Sequence, residues 1–321
     1  MLLTPAIDAT GGGVVVSNYI IRRLIYAFFT LVGISLITFL IVYAIPADPA
    51  AVIAGPYANA QTIASIRHQL GLDRPLLVQY GLFLWHALHG DWGTSFINQL
   101  PVLQQIMNRF PATAILGLTG FFTQLLIGIP AGIVAAAKQN SHVDNLVMSG
   151  VLVGLSLPRY WLGVMLLFVF ALKISLFPLG GYGSLAHLVL PTITIGLTGS
   201  AYYARLLRSS MIEVKRQDYV LLARAKGISR TRVLLWHIVR NSLMPVVTWA
   251  GIDLAGFFGG LIIVETVFAW PGIGQLTFQA IKNMDIPLIT GTVMFSAIMV
   301  VISSLVVDIF YVVLDPRISY D

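Results

Sequence analysis

The sequence predicts an all-α integral membrane protein with six transmembrane helices and a small external helical subdomain between the first two. Three observations carry that fold class. Of 321 residues, 57% are hydrophobic and only 10% are charged, and the mean hydropathy is +0.86. Soluble domains carry about 25% charged residues, so this chain cannot clothe a water-facing surface. Six segments are long and apolar enough for the roughly 20 helical residues that a bilayer crossing requires. Finally, nine of the nineteen Lys and Arg residues lie between Arg205 and Arg240, a clustering that speaks of topology and partners. Nucleic-acid binding is a poor reading of it, because no aromatic residues interleave with a sizeable basic face.

The elements follow in chain order. Residues 1–18, MLLTPAIDATGGGVVVSN, have no charged start and no clear cleavage site. They read as a loose tail, leaving the first apolar segment as an uncleaved anchor. That first span, residues 19–45, opens near Arg22 and Arg23 and ends at Pro46. The second covers about 112–137 and stops at Lys138; the third, about 145–175, is long enough to be tilted or broken near SLPRYW. The fourth is 187–207, the fifth 246–268 and the sixth 287–314, with a tail at 315–321. Residues 111–314 thus form the membrane core. Arg22 and Arg23 put the N-terminus in the cytoplasm. Six crossings then put 138–144, the basic segment 208–245 and the C-terminus there too.

Residues 46–110 are the sizeable stretch outside the membrane. NAQTIASIRHQLG reads as a short helix stopped by Gly71, and RPLLVQYGLFLWHALHG as an amphipathic one with Pro75 in its first turn. The segment is too short to bury a core of its own and must pack on the spans or on a partner. Gly128-x-x-x-Gly132 in the second span, and Gly251, Ala255 and Gly259 in the fifth, mark close helix interfaces. Pro130 implies a kink.

Much chemistry is absent. There is no Cys, hence no disulfide or thiolate metal site. No phosphate-binding G-x-x-x-x-G-K-[ST], dinucleotide fingerprint, H-E-x-x-H or nucleophile elbow occurs. His86 and His89 stand at chelating spacing with no third ligand beside them. The expectation is a non-enzyme with no catalytic residue, bound metal or cofactor. Within the spans, Asp253, Glu265, Asp308 and Arg159 are the ionisable groups that stand out. Such residues are functional candidates by default, but Glu265 and Asp308 fall toward span ends, where pairing or snorkelling accounts for them.

The basic segment is more informative than its charge. SSMIEVKRQDYVLLARAKG is helical by pattern and stops at Gly227; Ser229 is a natural cap for RTRVLLWHIVRNSL. Two helices therefore meet at a small-residue elbow: Ala223, Arg224, Ala225, Lys226, Gly227, Ser229 and Arg230. Contact with anionic headgroups explains the charge. It does not explain Ala-x-Ala-x-Gly at an ordered tip, which fits docking into a partner's groove.

DYVLLARAKGISRTRVLLWHIVRNSLMPVV resembles the cytoplasmic coupling loop of bacterial ABC-importer permeases of the dipeptide/oligopeptide/nickel family. IRRLIYAFFTLVGISLITFLIVYAIPADPA, HQLGLDRPLLVQYGLFLWHALHGDWGTSF, LVLPTITIGLTGSAYYARLLRSSMIEV, GGLIIVETVFAWPGIGQLTFQAI and VVDIFYVVLDPRIS extend the resemblance along all but the first eighteen residues. It implies a type I importer permease in the bacterial plasma (inner) membrane. Its implied partners are a second homologous permease, two cytoplasmic ATPases that hold the ATP and Mg, an external solute-binding protein and the bilayer. The elbow is then the coupling helix. Ala223 and Gly227 match small positions of the family motif, while Leu221 and Leu222 stand where it has Glu and Ala. Glu265, Phe268, Trp270, Pro271, Gly272 and Gly274, around FAWPGIG, are candidates for the pathway or outer gate. The implied cargo is a di- or oligopeptide, with nickel or glutathione as alternatives. Two other readings are an ion-gradient-driven transporter, which needs a midplane carboxylate and internal repeats, and an anchoring subunit without a pathway.

Overall fold

The structure is a computed structural model that describes residues 11–44, 49–55, 57–69 and 71–314. Expectations about residues 1–10, about Pro46 and about the tail 315–321 lie outside the described residues. Among those described, the chain is helical, with one isolated β-bridge between Thr94 and Pro101.

Helix α1 (Gly11–Ala44) begins inside the stretch expected as a loose tail. Nothing from Gly11 to Ser17 carries a charge or a proline that would stop it. The segment expected to be external forms α2 (Pro49–Ala54), α3 (Ala60–Gln69) and α4 (Leu76–Leu88). As expected of so small a unit, α4 leans on a span: Tyr80 shares a 2.7 Å hydrogen bond with Ser35, and its ring packs tilted against Phe39 of α1 with centroids 5.3 Å apart.

The centre is α5 (Val102–Ala137) packed along α8 (Leu185–Val214). Missing side chains let them approach. A Cβ on Gly128 would sit 2.6 Å from the Ser200 carbonyl, and one on Gly132 2.8 Å from that of Ala204. Backbone against backbone leaves no room to yield, so the Gly-x-x-x-Gly spacing is a packing requirement. At 36 residues, α5 is about 54 Å long and outreaches a hydrocarbon layer of about 30 Å.

The third segment breaks where SLPRYW predicts. Helix α6 (His142–Ser156) and α7 (Arg159–Leu166) meet at 100°. Pro158 has no N–H to continue α6, and Leu157 before it is extended. A π-helical stretch, Leu167–Lys173, continues α7. The fifth span, expected at 246–268, is not one helix. Helix α12 (Met244–Phe258) has 15 residues, about 22 Å, and α13 (Ile262–Val267) follows after Gly259 and Gly260. Gly260 has φ +106°, which ends the helix at a conformation that side chains resist. The count changes accordingly: four described helices are long and apolar enough to cross, or five if the bent α6–α7 pair is one crossing, against the six expected. Helices α14 (Ile273–Lys282) and α15 (Ile286–Leu314) complete the bundle, and α15 lies against α1 and α12.

Candidate functional site

The elbow lies at the Ala137 end of α5. Helix α8 ends at Val214; α9 (Asp218–Ala225) follows a short turn. Lys226 closes α9, and Gly227 at φ +79° reverses the chain. The Ile228 N–H bonds back to the Ala223 carbonyl at 3.3 Å and the Gly227 N–H to Arg224 at 3.0 Å, the pairing of a glycine C-terminal stop. The return helix is α10 (Arg230–Arg232), a π-helical stretch (Val233–Val239) and α11 (Arg240–Ser242). Ser229 precedes it without a side-chain cap, contrary to expectation. Its backbone carbonyl serves instead, accepting from the Val233 N–H at 3.0 Å.

The two faces of the elbow differ. Val220, Ala223 and Val233 are buried against Tyr203, Leu207 and Met211 of α8. Ala223 is therefore small in order to pack on its own chain. Arg224, Ala225, Lys226, Gly227, Ser229 and Arg230 are exposed, and so are Leu221 (52%), Leu222 (60%) and Trp236 (63%). The outer face thus mixes large apolar groups with cations, while the inner face is packed on α8. Beneath the tip, Lys215, Arg224 and Arg230 border a cavity of about 710 Å³ that reaches Ala136 and Ala137 of α5.

The FAWPGIG turn is buried instead. Glu265 is 0% exposed, so it does not reach water or headgroups as its position near a span end led us to expect. Its carboxylate accepts from the Thr113 hydroxyl of α5 at 2.8 Å and from the Gln275 N–H at 2.9 Å. The Ile273 N–H in turn donates to the Thr113 hydroxyl at 2.8 Å. Trp270 is 2% exposed, and its indole N–H donates to the Ala112 carbonyl at 2.9 Å. Phe268, Gly272 and Gly274 are buried as well, and Pro271 is half-buried. The turn is thus a clasp of α13 and α14 on α5, with a carboxylate as its hub.

Four further polar links hold the bundle, none of them legible from sequence spacing. Arg208 of α8 grips Asp144 of α6 with two bonds of 2.7 Å. Arg23 meets Asp308 at 3.0 Å. Asp285, ahead of α15, accepts from the Ser95 hydroxyl at 2.5 Å and the Phe96 N–H at 3.1 Å, which ties the GDWGTSF loop down. Asp253 of α12 accepts from the Gln124 amide and, at 2.9 Å, from the Tyr203 hydroxyl. His86 and His89 gain no further ligand, and no group of three metal-type side chains occurs among the described residues.

Compared with known proteins, residues 128–320 match the family of binding-protein-dependent transport system inner membrane components, and residues 16–117 match the N-terminal part of such components. The glutathione transport system permease GsiC of Salmonella paratyphi A is 40% identical over 303 residues, 94% of this chain and 99% of that one. Its counterpart in Escherichia coli strain K12 is 39% identical over the same span. Among solved structures, two crystal forms of the inward-facing MetNI methionine ABC transporter share the fold. Their TM-scores are 0.51 and 0.56 at 17% identity, covering 68% and 66% of this chain and 98% and 97% of theirs.

Proposed function

Because the chain belongs to the family of binding-protein-dependent transport system inner membrane components, and is therefore a non-catalytic, multi-pass inner-membrane permease subunit of an ABC importer, we propose that it is driven through its 208–245 elbow. The partners that this family implies are another permease, ATPase subunits and a binding protein. In our reading they are one homologous permease, two cytoplasmic ATPases that hold all the ATP and Mg, and one external binding protein. Both termini face the cytoplasm, and α12 with α13 supplies the crossing that no single long helix provides. Residues 46–110 sit outside, near the binding protein. The cargo is a small peptide, and the glutathione carried by the GsiC relatives is the peptide that fits best; a nickel complex is the alternative.

The observation that carries the coupling role is the outward face of the elbow: Arg224, Ala225, Lys226, Gly227, Ser229 and Arg230 around a rigid glycine stop, with Leu221, Leu222 and Trp236 beside them. An ATPase groove that grips this face transmits its closure through Ala223 and Val220 into α8. The Glu265–Trp270–Gly274 clasp is, in our reading, the rigid frame of the outer gate. It holds the α13–α14 hairpin while α12 moves.

Gly227→Trp tests coupling at the tip, but a tryptophan must also enter a left-handed backbone conformation. Ala225→Trp avoids that strain, since Ala225 is helical and exposed. In the reconstituted importer, Ala225→Trp should leave expression and assembly of the permease pair intact while binding-protein-stimulated ATP hydrolysis and uptake collapse. Normal uptake in that variant would sink the coupling role.

A further inference from the structure

Asp253 has a structural link to Gln124 and Tyr203 but no part in the coupling or gate readings above. It lies on α12, inside the expected fifth span, and is only partly buried. An ionisable group within the membrane is costly to keep unless it is paired or used. One oxygen, Oδ2, takes both available donors, the Gln124 amide and the Tyr203 hydroxyl. Among the described residues, Oδ1 receives no hydrogen bond and no Lys, Arg or His pairs with Asp253.

The donors behind it are fixed. Gln124 is 0% exposed, and its own carbonyl oxygen is buried without a partner, lodged where the absent side chain of Gly199 leaves room. That placement turns the amide N–H toward Asp253. Tyr203 is also fully buried. The carboxylate is therefore held from behind by rigid neutral donors, with its second oxygen forward.

In front stands an aromatic pair. Trp249 lies one helical turn before Asp253 on the same face, and stacks on Tyr202 of α8 with ring centroids 4.2 Å apart at 29°. Tyr202 is 41% exposed and Trp249 is partly so. Asp253 and Trp249 are both partly exposed, so their shared face of α12 is only partly covered on the chain as it stands. A carboxylate beside aromatic faces attracts a compact organic cation through both its charge and the ring quadrupoles. A divalent metal is a poor fit, because one carboxylate with no His or second acid beside it cannot complete a ligand set.

We propose that Asp253, with Tyr202 and Trp249 in front of it and Gln124 and Tyr203 behind it, contacts the primary ammonium group of an amino-acid-derived cargo inside the membrane. The proposal rests on the importer reading above and adds the substrate group that the permease itself recognises. A cargo that lacks the ammonium gains nothing from this station.

The test uses the complete importer in proteoliposomes. The probes are glutathione, trialanine and glutaryl-cysteinylglycine, the last being glutathione without its amino group. Asp253→Asn keeps an oxygen for the Gln124 and Tyr203 donors and so preserves packing. It should lower uptake of glutathione or trialanine about tenfold, the loss of one contact of about 1.4 kcal/mol. Assembly, binding-protein-stimulated ATP hydrolysis and the low uptake of the glutaryl compound should change less than about twofold on the same scale. Trp249→Leu should reproduce a weaker form of the same selective loss. Undiminished uptake in Asp253→Asn, or an equal fall for all three probes, overturns the site while leaving the importer reading intact. A wild-type complex that hydrolyses ATP yet carries neither amino-bearing probe rejects the cargo reading and this site together.

Discussion

Two glycine-centred turns join helices at opposite ends of the molecule, and they are glycine for opposite reasons. At Gly227 a Cβ would meet nothing within 4 Å, but φ is +79°. The residue supplies a backbone conformation and leaves an open surface around it. At Gly272 φ is −99°, which any residue adopts, but a Cβ would strike the Glu265 carboxylate. There the residue supplies space. The first turn is left open on its outer side, and the second is closed from within. A glycine in a motif therefore carries no single message; its neighbours decide whether it marks a docking tip or a packed hub.

The contrast is broken most sharply by adding one methyl group at each site. A Cβ on Gly274 would lie 2.6 Å from the Ile262 nitrogen and 2.9 Å from the Glu265 carboxylate. Neither backbone nor a carboxylate with its hydrogen bonds made can move aside cheaply. Gly274→Ala should cost about 3 kcal/mol, the upper range for overpacking. The purified assembly in detergent should then melt several degrees lower, and the Trp270 fluorescence should change with it. A melting point equal to wild type would mean that the clasp is loose in the membrane.

At the elbow the same methyl meets open space, so only the backbone conformation is charged. Gly227→Ala should cost about 1 kcal/mol, and Gly227→Asn less, because asparagine tolerates the left-handed region. Both should leave the melting temperature of the bundle nearly unchanged, and the asparagine variant should keep coupled ATP hydrolysis closer to wild type. A fall in stability at Gly227→Ala as large as that at Gly274→Ala would erase the distinction between the two turns.

The elbow was legible in the sequence and the clasp was not, and the reason is separation along the chain. A helix stop depends on neighbours: the Gly227 turn closes on Ala223 and Arg224, a few residues back. The break at Pro158 and the Gly128-x-x-x-Gly132 seam are local in the same sense. Glu265 finds Thr113 across 152 positions and Ser95 finds Asp285 across 190, distances at which spacing carries no signal. The same holds for Asp253, whose partners stand on α5 and α8. FAWPGIG marks a turn but not its burial, since a Trp–Pro–Gly turn looks alike whether a neighbour covers it or not. Ser229 shows the limit of local rules: it stands at a capping position, but its side chain caps nothing. The break of α12 at Gly260 was hidden because GG inside an apolar run also suits close helix packing.

A third turn sharpens the comparison, because it uses the backbone of Gly227 under a polar brace. Gly71 ends α3 at φ +65°, with the Leu72 N–H bonded to Arg67 at 3.0 Å. Across it, His68 and Asp73 share a 2.6 Å hydrogen bond, and this bond holds the Asp73 carboxyl below its ordinary value. A lowered acid stabilises the fold above the ordinary carboxylate range, and that contribution is lost as pH falls through its folded value. Both side chains are substantially exposed, at 83% and 43%, so water screens the pair and the whole bundle should not register it. The effect should be local: exchange of the Leu72 and Arg74 amide protons, compared with an intrinsic-rate reference, should quicken as Asp73 protonates. Asp73→Asn should remove that pH dependence without shifting the melting temperature. At Gly227, where no such brace exists among the described residues, amide exchange referenced in the same way should show no acid-dependent loosening. If the two turns responded alike, the pair at Gly71 would be incidental, and the left-handed glycine alone would account for both.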